Sequence, residues 1–257
     1  MRLTHLRTGW MMTTKELFRN RMAIILLFVI PTLFYALIVL TTTDRLIAFK
    51  LASISEATFV QVSERSEALI FIGTAAVGLL TSFLALSLVQ KHTEANRRLV
   101  LCGYQPSEVL VSKINVLLCV IILVGLYVSA LLLFFFRPQR WALVVIGFML
   151  AGYVYGCYGL FVGALLKREL EGILFIVLLA NIDAGWLQNP IYYADAQNQQ
   201  IIRCLPAYFP SQAAMVSAFT DGSVLAPIAG SVAYGSALLV AALLIYFWRM
   251  RIRKYAR

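Results

Sequence analysis

Few residues in this chain could do chemistry, and their positions restrict what that chemistry is. Asp183 and Asn181 stand in the stretch ANIDAGW, near the end of an otherwise apolar run from Gly172 to Gln188. An unpaired carboxylate at the centre of a membrane helix costs about 2.5–3.5 kcal/mol, and such groups face protein or a wet cavity. On that reading Asp183, with Asn181 beside it, lines the outer part of a path through the bilayer. The other reading is that the helix ends early and leaves Asp183 near water, and Gly185 and Pro190 close behind it keep this open. Tyr153, Tyr155 and Tyr158 are clustered among glycines in another apolar run. They either line a path for an amphiphile, with Tyr155 and Tyr158 the candidates, or pack with their hydroxyls satisfied. His5 and His92 are far apart and fit no Ser/His/Asp arrangement. Cys102, Cys119, Cys157 and Cys204 have no metal-site spacing, and no G-x-x-x-x-G-K-[ST] phosphate loop occurs. The expectation is a chain with no catalytic residue, no metal site and no cofactor of its own.

Composition says what must position these residues. The hydrophobic fraction is 61%, against about half for a soluble domain. About 20 apolar residues cross a bilayer as a helix, and six segments meet or approach that length: 22–42, 68–90, 112–136, 141–166, 172–188 and 227–248. An all-α membrane protein with a single domain over 1–257 follows. The net charge of +10 is distributed by side. With both termini in the cytoplasm, 16 of the 22 Lys and Arg fall on inner segments and 6 on outer ones. Cationic residues resist translocation, so this asymmetry sets the orientation. The basic character is topological, and a nucleic-acid partner is not expected.

Residues 1–21 place Leu3, Leu6, Trp10 and Leu17 at helical spacing, which reads as an amphipathic helix lying in the interface. The apolar run after it is too long for a signal peptide and lacks a small-x-small cleavage site, so the first span is retained. Pro31 should kink that span or expose a carbonyl for a neighbour to satisfy. Residues 43–67 read as a polar outer loop. Only Arg137 to Arg140 separate the third and fourth spans, which makes them an antiparallel hairpin. Gly73, Ala76 and Gly78 in the second span, with the pairs Gly152/Gly156 and Gly159/Gly163 in the fourth, suit close helix packing. In the outer segment 187–226, Leu205–Phe219 is apolar enough to dip back into the membrane, with a short helix over Ser211–Phe219.

The segment Gln90–Lys113 is the longest polar interruption with an inner-side charge signature. His92–Cys102 reads as a short helix with Ala95, Leu99 and Cys102 on one face and Glu94, Arg97 and Arg98 on the other. Gly103 stops it and Pro106 restarts the next helix. This is a docking element on the membrane surface. The run E-x-x-R-R-L-x-L-x-G-Y-x-P-S-E-V-L-x-S-K, Glu94 to Lys113, together with six spans and an amphipathic entry helix, resembles the type-2 ABC exporter permeases. In one place the chain departs from them: Leu205-Pro206-Ala207-Tyr208-Phe209-Pro210 stands where the family often has a proline-leucine-threonine-tyrosine stretch.

The resemblance implies a permease subunit of the bacterial inner membrane, with both termini cytoplasmic, that dimerises with itself or a related permease. It implies separate ABC ATPase subunits that bind ATP and Mg, coupled through Glu94, Arg97, Arg98, Leu99 and Gly103. The cargo class it implies is drugs, peptides, lipids or glycans moved outward. A secondary transporter should show inverted repeats and several intramembrane charges, whereas this chain shows one such charge and no convincing repeat. A membrane scaffold or assembly factor would share the fold without transport.

Overall fold

The computed structural model describes residues 3–51, 59–91, 106–166, 168–189, 193 and 197–255. In chain order the elements are α1 (Leu3–Arg19), α2 (Arg21–Thr41), β1 (Leu46–Lys50), β2 (Phe59–Ser63), α3 (Glu64–Gln90), α4 (Pro106–Leu132), α5 (Trp141–Leu165) and α6 (Glu169–Ile182). A π turn over Asp183–Leu187 carries α6 onward, and α7 (Gln199–Arg203), α8 (Tyr208–Phe219) and α9 (Leu225–Tyr255) complete the chain. Six of these are long and apolar enough to cross a membrane: α2, α3, α4, α5, α6 with its π turn, and α9. The short helix expected over 92–102, with Glu94, Arg97, Arg98, Leu99 and the Gly103 stop, lies outside the described residues.

The bundle is built on α3 and α5. Within their most apolar windows 72% and 78% of residues are buried, against 22% in α2, 28% in α6 and 17% in α9. The first two are therefore the interior and the last three are the apolar coat. Lipid is as apolar as leucine, so burying leucine gives little net drive between membrane helices, and close packing with polar contacts decides which faces meet. Gly159 makes the closest such approach. A methyl group there would meet the backbone of Ser82 on α3, with its Cα at 2.8 Å and its carbonyl nearer still. Gly156 of the other expected pair meets only the side chains of Ile121 and Leu117, at ordinary contact distance.

Five buried serine and threonine hydroxyls are satisfied locally. Thr74, Thr81, Ser129, Ser217 and Ser231 each donate to the carbonyl four residues earlier in their own helix, at 2.6–2.9 Å. This arrangement needs no neighbour and carries no information between helices. Pro31 cannot donate to the Leu27 carbonyl, and beside it the Thr32 hydroxyl donates to the Phe28 carbonyl at 2.7 Å and lies 2.6 Å from the Tyr127 hydroxyl, which ties α2 to α4.

Two expectations need correction. Residues 43–67 are not simply a polar loop: β1 and β2 form an antiparallel hairpin in which Ala48 faces Gln61. The alternating Phe59, Val60, Gln61 and Val62 suit strand pairing, and the Glu64 N–H extends the ladder to the Arg45 carbonyl at 2.9 Å. The turn between α4 and α5 is longer than four residues, because α4 stops at Leu132 and Phe134–Phe136 already belong to the connection. Along α1, Gly9 and Thr13 pack against the bundle with Leu17 half-buried. Gly9 has no side chain to hold off Ser112 of α4, whereas Trp10 is exposed.

At the end of the bundle shared by both termini, the Lys113 ammonium donates to the Leu88 carbonyl at the close of α3. Gln90 Nε2 donates to the Leu166 carbonyl just past α5, at 3.3 Å. The opposite, loop-rich end holds α8. Its last carbonyls would be unpaired, but Gln139 N–H donates to Ala218 and Arg140 N–H to Ser217, at 3.0 and 3.1 Å. The Arg140 guanidinium adds Val216 and Gly222, at 3.4 and 2.7 Å.

Gly159→Ala should therefore cost about 1–3 kcal/mol through overpacking and lower the thermal midpoint in detergent, while Gly156→Ala should leave it within error. Equal midpoints for the two variants would show that α3 and α5 do not meet at Gly159.

Candidate functional site

Among the described residues three carboxylates are buried: Glu67 and Glu108 lie in the first turns of α3 and α4, and Asp183 lies at the end of α6. The helix α6 loses its α form at Ile182, and the Gln188 N–H donates to the Asp183 carbonyl at 3.1 Å, closing the wider i to i+5 turn. At 3.6 residues per turn, positions five apart would lie about 140° from one another. The π turn instead brings both side chains to one side. Gln188 Nε2 then donates to Asp183 Oδ1 at 3.1 Å and to the Ile202 carbonyl at 3.3 Å. Two acceptors fix the amide orientation, since the flipped amide would turn its oxygen toward both.

The other carboxylate oxygen is held from two further elements. Tyr155 of α5 donates its hydroxyl to Asp183 Oδ2 at 2.7 Å. The backbone N–H of Ala207, the N-cap residue of α8, donates to the same oxygen at 2.7 Å. A negative group at a helix N-terminus is favoured by the helix dipole. The Tyr155 ring has its place because Gly78 of α3 has no side chain, and a methyl group there would lie 2.9 Å from Tyr155 Cδ2. Counting about 1.5 Å per residue, Tyr155 lies roughly 21 Å along α5 from Trp141, and Asp183 roughly 21 Å along α6 from Glu169. The cluster therefore stands in the middle third of the bundle. From there α8 climbs roughly 17 Å to Phe219 at the loop-rich end.

Tyr158, one turn beyond Tyr155, meets its ring edge-on with centroids 6.3 Å apart. Its hydroxyl is buried and has no hydrogen-bond partner among the described residues. Tyr234 of α9 donates to the Cys204 carbonyl at 3.0 Å and holds the segment that leads into α8. Outside this, Arg203 Nε donates to the Tyr193 hydroxyl at 3.3 Å, and Tyr193 packs on Tyr208 with ring centroids 6.0 Å apart.

The structure thus brings Asp183, Tyr155 and Tyr158 together and leaves Asn181 out. Asn181 is on the exposed side of α6, and its amide donates back to the Val177 carbonyl at 2.8 Å. The α-helix does end just before Asp183, yet the residue is 0% exposed and not near water. Sequence reasoning missed Gln188 and Ala207. Gln188 comes into reach only because of the π turn, and Ala207 acts through its backbone, which no residue type announces.

Tyr155→Phe should cost about 1.5–3 kcal/mol, the range for a hydrogen bond to a charged group. Asp183→Leu should cost more, because it strands three donors. In a double-mutant cycle read by reversible unfolding in mixed micelles, the two losses should fall well short of additive. Additive losses would mean that the two side chains do not interact. No protein-family model matches the chain and no curated protein does, so the site is read from its residues alone.

Proposed function

We propose that the chain is the permease subunit of a type-2 ABC exporter, which moves an amphiphilic substrate outward using ATP hydrolysed by separate ATPase subunits. The observation that carries this reading is α8. Six helices are long enough to cross a membrane, while α8 is buried, starts at mid-depth on Asp183 and ends under Arg140 at the loop-rich end. A helix that goes only halfway is a discontinuous element of the kind that transporters place at their sites. It also has two holds that can be released separately, which suits a gate with two positions.

On this reading the loop-rich end faces outward and α8 is re-entrant, while α1 lies in the cytoplasmic interface with Trp10 at headgroup depth. The segment with Glu94, Arg97, Arg98, Leu99 and Gly103 docks on the ATPase and leads directly into α4, against which α1 packs. The exposed apolar faces of α2, α6 and α9 meet lipid and a second permease copy. Asp183, Tyr155 and Tyr158 form the outer closure of the path.

Orientation is tested with a single cysteine. Cys204, exposed in this structure, should react with an impermeant maleimide on intact cells when it is the only cysteine. A variant keeping only Cys102 should stay unlabelled, and the reverse pattern would invert the topology. Coupling is tested by replacing Arg97 and Arg98 with glutamate. Membrane insertion should persist while ATPase co-purification and ATP-driven uptake into inverted vesicles fall severalfold or more. Unchanged recovery and uptake would make the segment an ordinary loop and favour a scaffold.

A further inference from the structure

The Asp183 cluster is unbalanced in a specific way. Among the described residues no cation pairs with the Asp183 carboxylate, although a buried charge is ordinarily paired. Two uncharged polar atoms in the same cluster are also left over. Gln188 Oε1 and the Tyr158 hydroxyl are buried without a hydrogen-bond partner, on side chains only 2% and 6% exposed. Native proteins satisfy nearly all such atoms, so two beside one lone carboxylate call for an explanation. Gln188 is held on Asp183 Oδ1, and Tyr158 packs on the tyrosine that holds Oδ2. Each leftover atom is thus one residue removed from the same carboxylate.

What the three oxygens lack is donors and positive charge. Asp183 Oδ1 accepts one described hydrogen bond and has a lone pair free, Gln188 Oε1 is an acceptor, and the Tyr158 oxygen can accept as well. A primary ammonium has three N–H donors and one positive charge. The rings of Tyr155 and Tyr158 add faces that attract a cation. A quaternary ammonium would supply charge but no donors. An anionic head would face the carboxylate, and the N–H at the start of α8 that would attract it is already engaged by Asp183.

We infer that Asp183, Gln188 and Tyr158 form a binding site for a primary ammonium group, so that the cargo is an amine-bearing amphiphile. The inference rests on the permease reading for the word cargo, but the binding site does not. All three residues are buried in this structure, so entry requires the packing around them to open.

The test uses the purified full chain in non-ionic detergent without any ATPase, and dansylcadaverine as the probe, followed by fluorescence anisotropy against empty micelles. The parent should bind this primary amine about tenfold or more tighter than its N-acetyl or N-trimethyl analogue. Tyr158→Phe removes a hydroxyl with no partner in the fold, so it should keep the parent melting temperature and weaken amine binding about tenfold. Asp183→Asn should abolish the preference for the amine wherever it folds. Equal binding of the three probes by the parent, no saturable binding, or parent-like binding by Tyr158→Phe would each overturn the inference. Amine binding without ATP-driven uptake would leave the site standing and remove the permease reading instead.

Discussion

The fold depends on one carboxylate shared by three elements. Asp183 takes a hydroxyl from α5, an amide from its own π turn and a backbone N–H from the start of α8. The buried hydroxyls of Thr74, Ser129, Ser217 and Ser231 turn inward to their own helices and hold nothing else in place. In a bundle whose helices gain little from apolar contact with one another, an interaction that reaches between helices carries unusual weight. Removing the carboxylate would leave three donors unsatisfied in a medium that cannot replace them.

The rest of the architecture supports that junction. Gly159 lets α3 and α5 meet backbone to backbone, and Gly78 leaves the space in which Tyr155 lies. The segment before α8 is held by Tyr234 and Gln188, and the far end of α8 by Arg140. The two ends of α8 are thus fixed by different chemistry. The end on Asp183 depends on a single carboxylate oxygen, while the end under Arg140 has two backbone donors and a guanidinium.

Much of this was legible in the sequence, for identifiable reasons. Six apolar runs of bilayer length need no tertiary information, and a carboxylate inside one of them marks itself. The run from Leu205 to Phe219 was visible as a second apolar stretch within the outer segment, although its helix begins at Tyr208 and not Ser211, since Pro210 is tolerated in a first turn. What was not legible depends on geometry set by neighbours. Asn181 and Asp183 look like a pair along the chain, but two residues on a helix point to nearly opposite sides, and only Asp183 turns inward. The β-hairpin was hidden because two short strands with charged flanks have the composition of a loop. Ala207 contributes a backbone N–H, and Gln188 depends on a π turn that no periodicity predicts.

The most direct test of the account is amide hydrogen exchange along the chain, comparing the parent with Asp183→Asn in lipid nanodiscs. If the carboxylate holds the start of α8, exchange across 205–212 should speed up at least tenfold in the variant, while α3 and the remainder of α5 keep their protection. Unchanged exchange at the start of α8 in a variant that is otherwise folded would contradict it.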